Sequence, residues 1–288
     1  MKALVTGCAG FIGSHLVERL IEEGCSVIGV DCFTDYYSRR IKESNMANFI
    51  DQIKFIEEDI LEMDIGVLKN VDFVFHLAAQ AGVRASWGRE FEVYTRNNIL
   101  TTQRLLEGCK KYGIEKFIYA SSSSVYGNVK ELPMKEDQYP KPYSPYGVTK
   151  LAGENLCELY RMNYGMNTIS LRYFTVYGER QRPDMAFHRF IRAIFDGRQI
   201  TVYGDGRQTR DFTYVGDIVD ATIRAAESDA VGVFNIGGGS RIELIEAIRI
   251  LEKIVGQEAD IRFEESKKGD VRDTYADISK AKDALGYK

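Results

Sequence analysis

The sequence predicts an α/β fold, in which a doubly wound parallel sheet is followed by a smaller mixed α/β domain. Three observations support this prediction. Short apolar runs alternate with helical patterns as far as residue 173, as expected for parallel strands joined by helical crossovers. A glycine-rich turn joins the first apolar run to the first helical pattern. After residue 173 the loops lengthen, and glycine and arginine become more frequent.

The composition excludes several classes of protein. Hydrophobic residues make up 44% and charged residues 28% of the 288 residues, which is ordinary for a globular protein. The formal net charge of −4 argues against a nucleic-acid-binding surface. No apolar stretch approaches the roughly 18 residues of a membrane span, so no membrane association is expected. The cysteines form no C-x-x-C pair and the histidines have no ligand spacing. We therefore expect no metal site, and a cytoplasmic protein with reduced thiols.

The predicted strands of the first half are short apolar runs that end at turns. In chain order they cover residues 3–6, 26–30, 53–56, 72–77, 116–121 and 168–173. Helical spacing of apolar residues is clearest over residues 11–20, 91–112 and 146–164. Right-handed crossovers between such strands place helices on both faces of the sheet.

The second half mixes strands and helices less regularly. The predicted strands cover residues 200–203, 233–236 and 261–264, and the predicted helices cover residues 185–195, 215–227 and 243–255. We therefore predict a first domain over residues 1–173 and a smaller substrate-binding domain over residues 174–288. Because residues 213–236 look like one more helix and strand of the first domain, we expect them to complete its sheet.

The turn after the first strand carries three glycines, Gly7, Gly10 and Gly13, in a G-x-x-G-x-x-G pattern. The first allows the tight turn, the second lets the backbone approach a pyrophosphate, and the third lets the helix pack on the strand. The N–H groups of Phe11 and Ile12 then face the phosphates at the helix N-terminus. A plain strand–helix turn is the alternative, but the acid that follows favours a Rossmann-like dinucleotide site.

An acid ends the second strand. Asp31 lies 18 residues after Gly13, where a carboxylate accepts hydrogen bonds from a ribose diol and repels a 2′-phosphate. This predicts NAD rather than NADP, with capping of the next turn as the alternative role of Asp31. Asp59 and Ile60 follow the third strand, where the acid could meet the adenine amine or act only as an N-cap. The segment after the fourth strand contains small residues that would let a cofactor lie close, and it comprises Leu77, Ala78, Ala79 and Gln80.

Tyr146 and Lys150 open a helix after the fifth strand. Residues four apart share one helix face, so the phenol and the ammonium can converge. A nearby cation lowers the pKa of a tyrosine from its usual value of about 10, which makes Tyr146 a candidate base. A surface Tyr–Lys pair is the alternative. The glycine turn and the serines at residues 121–124, which could donate to the same substrate oxygen, favour the catalytic interpretation.

These motifs are similar to those of the extended short-chain dehydrogenases/reductases, specifically the NAD-dependent nucleotide-sugar epimerase/dehydratase group. The resemblance covers essentially the whole chain and rests on residues 6–13, 31, 76–79, 121–127, 146–150, 172–178, 204–206 and 210–212. It implies Tyr146 as base, Lys150 as its electrostatic partner and nicotinamide-ribose ligand, and Ser122 as the assisting hydroxyl, with Ser123 as the fallback. Further cofactor contacts are implied for Asn98, Ser121, Tyr173 and Val176.

The resemblance also implies a reaction that begins with oxidation at C4 of a sugar. Related dehydratases carry Asp-Glu after the catalytic hydroxyl, and decarboxylases usually carry Glu, whereas this chain has Ser123 and Ser124. Serine is a poor general acid or base near neutral pH, so re-reduction of the keto-sugar on its other face, a 4-epimerization, is favoured. A decarboxylase, a 4,6-dehydratase and a non-catalytic NAD-binding module are the alternatives.

Residues 173–186 resemble the UDP-glucuronate 4-epimerase branch, with UDP-glucose as the second choice of substrate. Thr175 stands where glucose epimerases often have Asn, and Arg84 belongs to a segment that is also similar to this branch. Arg182 is then the expected partner of the C6 carboxylate, because a guanidinium fork pairs well with a carboxylate. A solvated loop charge or a dimer contact is the alternative for Arg182.

The same resemblance assigns the remaining substrate contacts and the oligomeric state. Arg210 and Arg272 look like diphosphate clamps, with ordinary surface arginines as the alternative. Tyr203 is expected to flank the uracil or to belong to the core. The helices at residues 91–112 and 146–164 are similar to the dimer-forming pair of the family, so we expect a homodimer.

Overall fold

The computed structural model describes residues 1–288 as thirteen strands and nine helices. The strands are β1 (Lys2–Thr6), β2 (Ser26–Val30), β3 (Lys54–Ile56), β4 (Phe73–His76), β5 (Lys116–Ser122), β6 (Thr168–Tyr173), β7 (Thr175–Tyr177), β8 (Ile200–Tyr203), β9 (Thr209–Arg210), β10 (Phe212–Tyr214), β11 (Gly232–Ile236), β12 (Ile242–Glu243) and β13 (Ile261–Glu264). The helices are α1 (Phe11–Glu22), α2 (Arg39–Met46), α3 (Phe91–Thr95), α4 (Thr101–Tyr112), α5 (Pro145–Tyr164), α6 (Ala186–Phe195), α7 (Val215–Glu227), α8 (Leu244–Val255) and α9 (Ser279–Leu285).

Seven strands form the central sheet, in the order β11-β6-β5-β4-β1-β2-β3. Every neighbouring pair in this sheet is parallel. The predicted α/β class with a doubly wound parallel sheet is therefore confirmed. The strand order reverses between β1 and β4, and such a switch point opens a crevice at the carboxyl ends of the strands. This crevice is where a ligand site is expected.

Helices cover both faces of the sheet. In β1, Ala3 and Val5 belong to a 31-residue apolar cluster that includes the buried side of α1 and α7. Leu4, between them, belongs to a 16-residue cluster that includes residues of α4 and α5. Because both faces are buried, the strands contain continuous apolar runs rather than an alternating pattern, which explains why their positions could be predicted.

The C-terminal part is smaller and mixed in structure. β8 pairs in parallel with β13, and α6 and α8 enclose a separate seven-residue apolar cluster beside them. Two further two-stranded sheets pair β7 with β10 and β9 with β12. The strand β11 pairs with β6 and extends the central sheet. The domain boundaries given above stay a prediction.

The long helix predicted over residues 91–112 is divided in the structure. A π-helical turn, Arg96–Leu100, separates α3 from α4. The Thr101 and Thr102 hydroxyls donate to the carbonyls of Asn97 and Asn98 at 2.5 and 2.7 Å, alongside the backbone bonds of this wide turn. Hydrophobic periodicity does not reveal such a local change of helix type. π-Helical turns of this kind are often found near functional sites. None of the nine helices combines the length and apolar character needed to cross a bilayer.

Candidate active site

An open cavity lies along the carboxyl ends of the central strands, at the switch point between β1 and β4. All of the predicted cofactor residues except Asn98 and Val176 line this cavity. The lining also contains residues for which the sequence predicted no role in the site, among them Thr34, Lys42, Glu58 and Asn97. Of the predicted substrate residues, Tyr146 and Arg182 line it.

The glycine turn has the geometry of a phosphate cradle. Gly7 has φ of +72°, a value that L side chains rarely adopt. A Cβ on Gly13 would collide with the Gly7 carbonyl oxygen, so only glycine allows this contact between helix and turn. Gly10 caps α1 without any side-chain hydrogen bond. The first N–H groups of α1 are therefore available at the cavity edge, and the turn fits a pyrophosphate.

The end of β2 holds a carboxylate beside a buried cation. The Asp31 Oδ1 accepts a hydrogen bond from the Phe33 N–H at 2.9 Å, so Asp31 caps its turn and also lines the cavity. The Lys42 Nζ lies 3.6 Å from this Oδ1, and the Lys42 side chain is only 7% exposed. Its other oxygen contacts, both with Thr34, are 3.3 and 3.5 Å long. Lys42 thus has donor capacity left for a ligand oxygen in the cavity.

Lys42 was missed because it lies in the mostly polar helix α2, where no spacing connects it with Asp31. Asp59 combines the two roles left open for it, since it lines the cavity while its Oδ1 accepts from the Leu61 N–H at 2.8 Å. Its other oxygen pairs with Arg96 at 3.0 Å.

The start of α5 presents the predicted catalytic residues. Ser144 caps the helix by accepting from the Gly147 N–H at 3.1 Å, and Pro145 occupies the first turn. A Cβ on Gly147 would come within 2.5 Å of the Ser124 carbonyl oxygen, so this glycine lets α5 approach the end of β5. Tyr146 consequently lies beside Ser122, the residue that ends β5.

Burial dominates the electrostatics of this pair. Burial lowers the pKa of Lys150 to about 8 and raises the pKa of Tyr146, although the nearby Ser122 hydroxyl and the positive charge of Arg182 partly oppose the rise for Tyr146. The predicted net lowering of the Tyr146 pKa by Lys150 is therefore wrong. The Lys150 ammonium donates instead to the Ala120 carbonyl at 2.8 Å. Arg182 is the cation that acts on the phenol.

Asn98 supports the cavity wall without lining it. Its Oδ1 accepts from the Gln80 N–H at 2.7 Å, and its Nδ2 donates to the Gln80 carbonyl at 3.0 Å and to the Thr149 hydroxyl at 2.9 Å. It thereby joins the loop after β4 to the residue that precedes Lys150. Val176 is buried in the apolar cluster that contains α1, and it too contributes no surface to the cavity.

A hydrogen-bond chain behind the cavity fixes the end of β4. The Ala78 N–H donates to the Thr6 hydroxyl, which lies 2.8 Å from His76 Nδ1, and His76 Nε2 lies 3.0 Å from the Thr102 hydroxyl. Because the Thr102 hydroxyl donates its proton to a hydrogen bond with the Asn98 carbonyl, its oxygen must accept a hydrogen bond from the Nε2–H of His76. His76 is therefore a neutral imidazole that donates through Nε2, and burial lowers its pKa to about 3.

Several predicted substrate residues gather outside the cavity, around residues 270–273. Arg84 pairs with Asp270 at 2.7 Å, and its guanidinium stacks 4.3 Å from the centre of the Tyr203 ring. Arg210 is occupied with backbone carbonyls, including those of Val271 and Arg272 at 2.8 Å. Arg272 itself lies 3.4 Å from the Asp205 carboxylate.

Ser122, Ser123 and Thr175 also lie outside the cavity lining. Ser123 begins a short 3-10 turn after β5, and Thr175 begins β7. The roles of all these residues stay predictions.

The parallel sheet, the glycine cradle at its switch point and the adjacent Ser–Tyr–Lys group define a nucleotide-dependent enzyme of the short-chain dehydrogenase/reductase class. A family model described as the NAD dependent epimerase/dehydratase family matches residues 3–237. The chain belongs to this family, which confirms the resemblance stated above and the expectation of NAD as cofactor.

Individual relatives are similar over almost their whole length. A Bacillus subtilis protein named as an uncharacterized UDP-glucose epimerase, YtcB, is 45% identical, with 100% of this chain and 92% of the relative covered. A UDP-glucuronate 4-epimerase of Thermodesulfobacterium geofontis is 41% identical over 99% of this chain and 90% of the relative. The crystal structure of a Bacillus cereus UDP-glucuronic acid 4-epimerase, in complex with UDP-glucuronic acid and NAD, superimposes with a TM-score of 0.97 at 47% identity, covering 100% of this chain and 94% of that one.

Proposed function

We propose that this protein is an NAD-dependent UDP-sugar 4-epimerase that acts on UDP-glucuronate and UDP-galacturonate, with UDP-glucose and UDP-galactose as the second choice. The observation that carries the choice of sugar is Arg182, which lines the same cavity as Tyr146 and Lys150. A guanidinium at that position suits a carboxylate on the sugar. The similarity to UDP-glucuronate 4-epimerases supports the proposal.

Different residues of the site would bind the cofactor and act on the sugar. The glycine turn holds the pyrophosphate, and Asp31 accepts hydrogen bonds from the adenosine ribose. NAD, when bound, supplies reversible hydride exchange with C4 of the sugar. Tyr146 takes the proton of the C4 hydroxyl, and Ser122 donates a hydrogen bond to the same oxygen. Lys150 holds the nicotinamide ribose, and the positive charge of Arg182 favours the phenolate form of Tyr146.

The inversion itself needs no further acid or base. After oxidation, the 4-keto sugar rotates in the site and presents its other face for reduction. Re-reduction then occurs on that face, and Tyr146 returns the proton. A dehydratase would need a second acid–base pair, whereas Ser123 and Ser124 follow the catalytic hydroxyl here. This favours epimerization over dehydration and over decarboxylation.

We further propose that the protein is a homodimer in the cytoplasm. Large apolar side chains are exposed on α3, the π-helical turn and α5, namely Val93, Leu100, Val148, Leu159 and Met162. Such a patch suits a self-association surface. All five cysteines are free, as suits a reducing compartment.

The reaction is tested by incubating the protein together with NAD and one sugar nucleotide at a time. The three substrates are UDP-glucuronate, UDP-glucose and UDP-N-acetylglucosamine, and the products are separated by chromatography. We expect UDP-galacturonate from the first sugar at the highest kcat/KM. A UDP-pentose product would identify a decarboxylase instead. A 4-keto-6-deoxy product from UDP-glucose would identify a dehydratase, and no turnover of any sugar would favour a non-catalytic module.

The choice of sugar is tested with Arg182→Ala. A charge-assisted hydrogen bond contributes roughly 1.5–3 kcal/mol, so kcat/KM for UDP-glucuronate should fall about ten- to a hundred-fold. UDP-glucose should be affected far less. Arg182→Lys should recover only part of the loss, because an ammonium lacks the planar fork. Equal losses for both sugars would make UDP-glucose the better assignment.

A further inference from the structure

Arg182 belongs to a rigid turn. The Met185 N–H donates to the Arg182 carbonyl at 3.1 Å, which closes a four-residue turn with Pro183 at its second position. Proline fixes its own φ and restricts the residue before it, so the backbone on both sides of the Arg182 carbonyl is constrained. The third residue of the turn is Asp184, whose side chain folds back onto Arg182.

Asp184 occupies one edge of the guanidinium. The Arg182 Nε donates to Asp184 Oδ1 and the Arg182 Nη2 donates to Asp184 Oδ2, both at 3.0 Å. A guanidinium offers a second edge to a carboxylate, made of Nη1 and the other N–H of Nη2. Nη1 donates to no group of the protein, and Arg182 lines the cavity that contains Tyr146. The unused edge is therefore available to a ligand.

Tyr36 holds Asp184 through a hydrogen bond. It lies in the loop after β2, and its hydroxyl donates to Asp184 Oδ2 at 3.2 Å. Burial raises the pKa of Tyr36 to about 12, so the hydroxyl keeps its proton at neutral pH. Gly82 has φ of +105°, and a Cβ there would collide with the Tyr36 hydroxyl. Because Gly82 has no side chain, the Tyr36 hydroxyl can lie close enough to Asp184 to form this hydrogen bond.

We propose that Asp184, held by Tyr36, is a positioning residue that fixes Arg182 with its Nη1–Nη2 edge turned toward the carboxylate of the sugar. The turn, the two-point contact with Asp184 and the Tyr36 hydrogen bond order the arginine before the substrate arrives. Preorganization of this kind raises affinity because less side-chain freedom is lost on binding. This inference rests on the proposed function, in which Arg182 binds the C6 carboxylate.

The test compares Asp184→Ala, Asp184→Asn and Tyr36→Phe with the unchanged protein. KM and kcat are measured for UDP-glucuronate and UDP-glucose, together with the Kd of UDP-glucuronate by calorimetry. Asp184→Ala should lower kcat/KM for the acid about tenfold, mainly through KM, and change UDP-glucose less than about twofold. Asp184→Asn and Tyr36→Phe should each cost the acid only about two- to fourfold. The asparagine oxygen still accepts one guanidinium bond, and the phenylalanine removes only the outer hydrogen bond.

A matched control loosens the same loop at another point. Arg180 pairs with Glu18 at 2.8 Å, two residues before Arg182. Glu18→Ala should leave both sugars unchanged. An equally selective loss in Glu18→Ala would assign the effect to general loop order and overturn the proposal.

The remaining outcomes separate this inference from the proposed function. If Arg182→Ala weakens both sugars equally, the carboxylate role of Arg182 fails and the positioning role of Asp184 fails with it. If Arg182→Ala is selective but Asp184→Ala leaves the acid unaffected or improves its KM, then Asp184 is at most a competing carboxylate. In that case only the inference is wrong. An equal loss for both sugars in Asp184→Ala would also overturn it.

Discussion

Two titratable side chains four residues apart respond in opposite ways to the same burial. The interior disfavours charge, so it lowers the pKa of Lys150 and raises the pKa of Tyr146. Both changes favour the neutral forms, whereas the proposed chemistry requires a phenolate next to an ammonium. The positive charge of Arg182 offsets part of the effect of burial on the pKa of Tyr146.

Tyr146→Phe removes only the proposed base. We expect turnover to fall by about 10²- to 10⁴-fold, the usual contribution of a positioned acid or base. The fold and the affinity for NAD should be nearly unchanged, because the ring that packs on Tyr94 remains. Steady-state kinetics and calorimetry with NAD provide the two measurements. A variant that keeps most of its kcat would show that Tyr146 is not the base.

Asp31 should set the preference for NAD over NADP. In Asp31→Ala, the repulsion of a 2′-phosphate disappears and the nearby Lys42 ammonium loses its anionic partner. We expect the difference between the two dissociation constants, measured by calorimetry, to become smaller. The double variant Asp31→Ala/Lys42→Met should bind NADP more weakly than Asp31→Ala does, which isolates the contribution of the cation. Comparable binding of both cofactors by the unchanged protein would contradict the role of Asp31.

At the scale of elements, His76 connects β4 with β1 and α4 through the hydrogen-bond chain described above. Its neutral form is required in the folded protein, where its pKa is about 3, against about 6.5 in an unfolded chain. Between these values only the unfolded state gains the proton. The free energy of unfolding therefore falls as the pH drops below about 6.5, by up to ~1.4 kcal/mol per pH unit from this residue alone.

His76→Gln, which cannot titrate, isolates this effect. The unchanged protein should be more stable than the variant at pH 7, because glutamine does not reproduce both ring contacts. Between pH 6.5 and 5 the difference should shrink by about 1.6 kcal/mol, because only the unchanged protein loses stability to histidine protonation. Urea unfolding of both proteins at the two pH values measures the difference. A pH-independent difference would mean that His76 titrates alike in the folded and unfolded states.

The accuracy of the sequence predictions varies with the kind of element. The strands of the sheet were located to within one or two residues because burial on both faces makes them rich in apolar residues. α2 was missed because it is mostly polar, and β9 and β12 because two residues carry no periodicity. The π-helical turn was missed because its hydrogen bonds, not its composition, distinguish it.

The same division holds for the site. The glycines, Asp31 and the Tyr146–Lys150 pair are defined by short spacings along the chain, so they could be predicted from the sequence. Lys42 and Tyr36 act through partners that the fold alone brings near, Asp31 at 3.6 Å and Asp184 at 3.2 Å. The direction of the Tyr146 pKa was mispredicted for a related reason, because burial is a property of the whole environment and not of a spacing.

At the scale of the whole molecule, the exposed apolar patch on α3, the π-helical turn and α5 predicts self-association. Leu159→Lys would place a charge in this patch, where the leucine is 51% exposed, and should shift the protein toward a monomer. Ile254→Lys is a matched control. This isoleucine is 74% exposed, but it belongs to α8 and not to any of the elements that form the patch. Light scattering after size-exclusion chromatography reports the mass. A dimer that tolerates Leu159→Lys but not Ile254→Lys would place the interface on the C-terminal part.

The position of β11 has a consequence for the order in which the chain can fold during synthesis. Its partner β6 ends at Tyr173, but β11 is not complete until Ile236. Until then β6 is an unprotected edge strand of the sheet. The helix α7, which covers part of one face of the sheet, is missing as well. About 60 residues, α7 among them, are therefore synthesised after β6 before β11 can complete the sheet. A nascent chain halted near residue 173 should bind holdase chaperones, whereas one halted well beyond residue 236 should resist proteolysis.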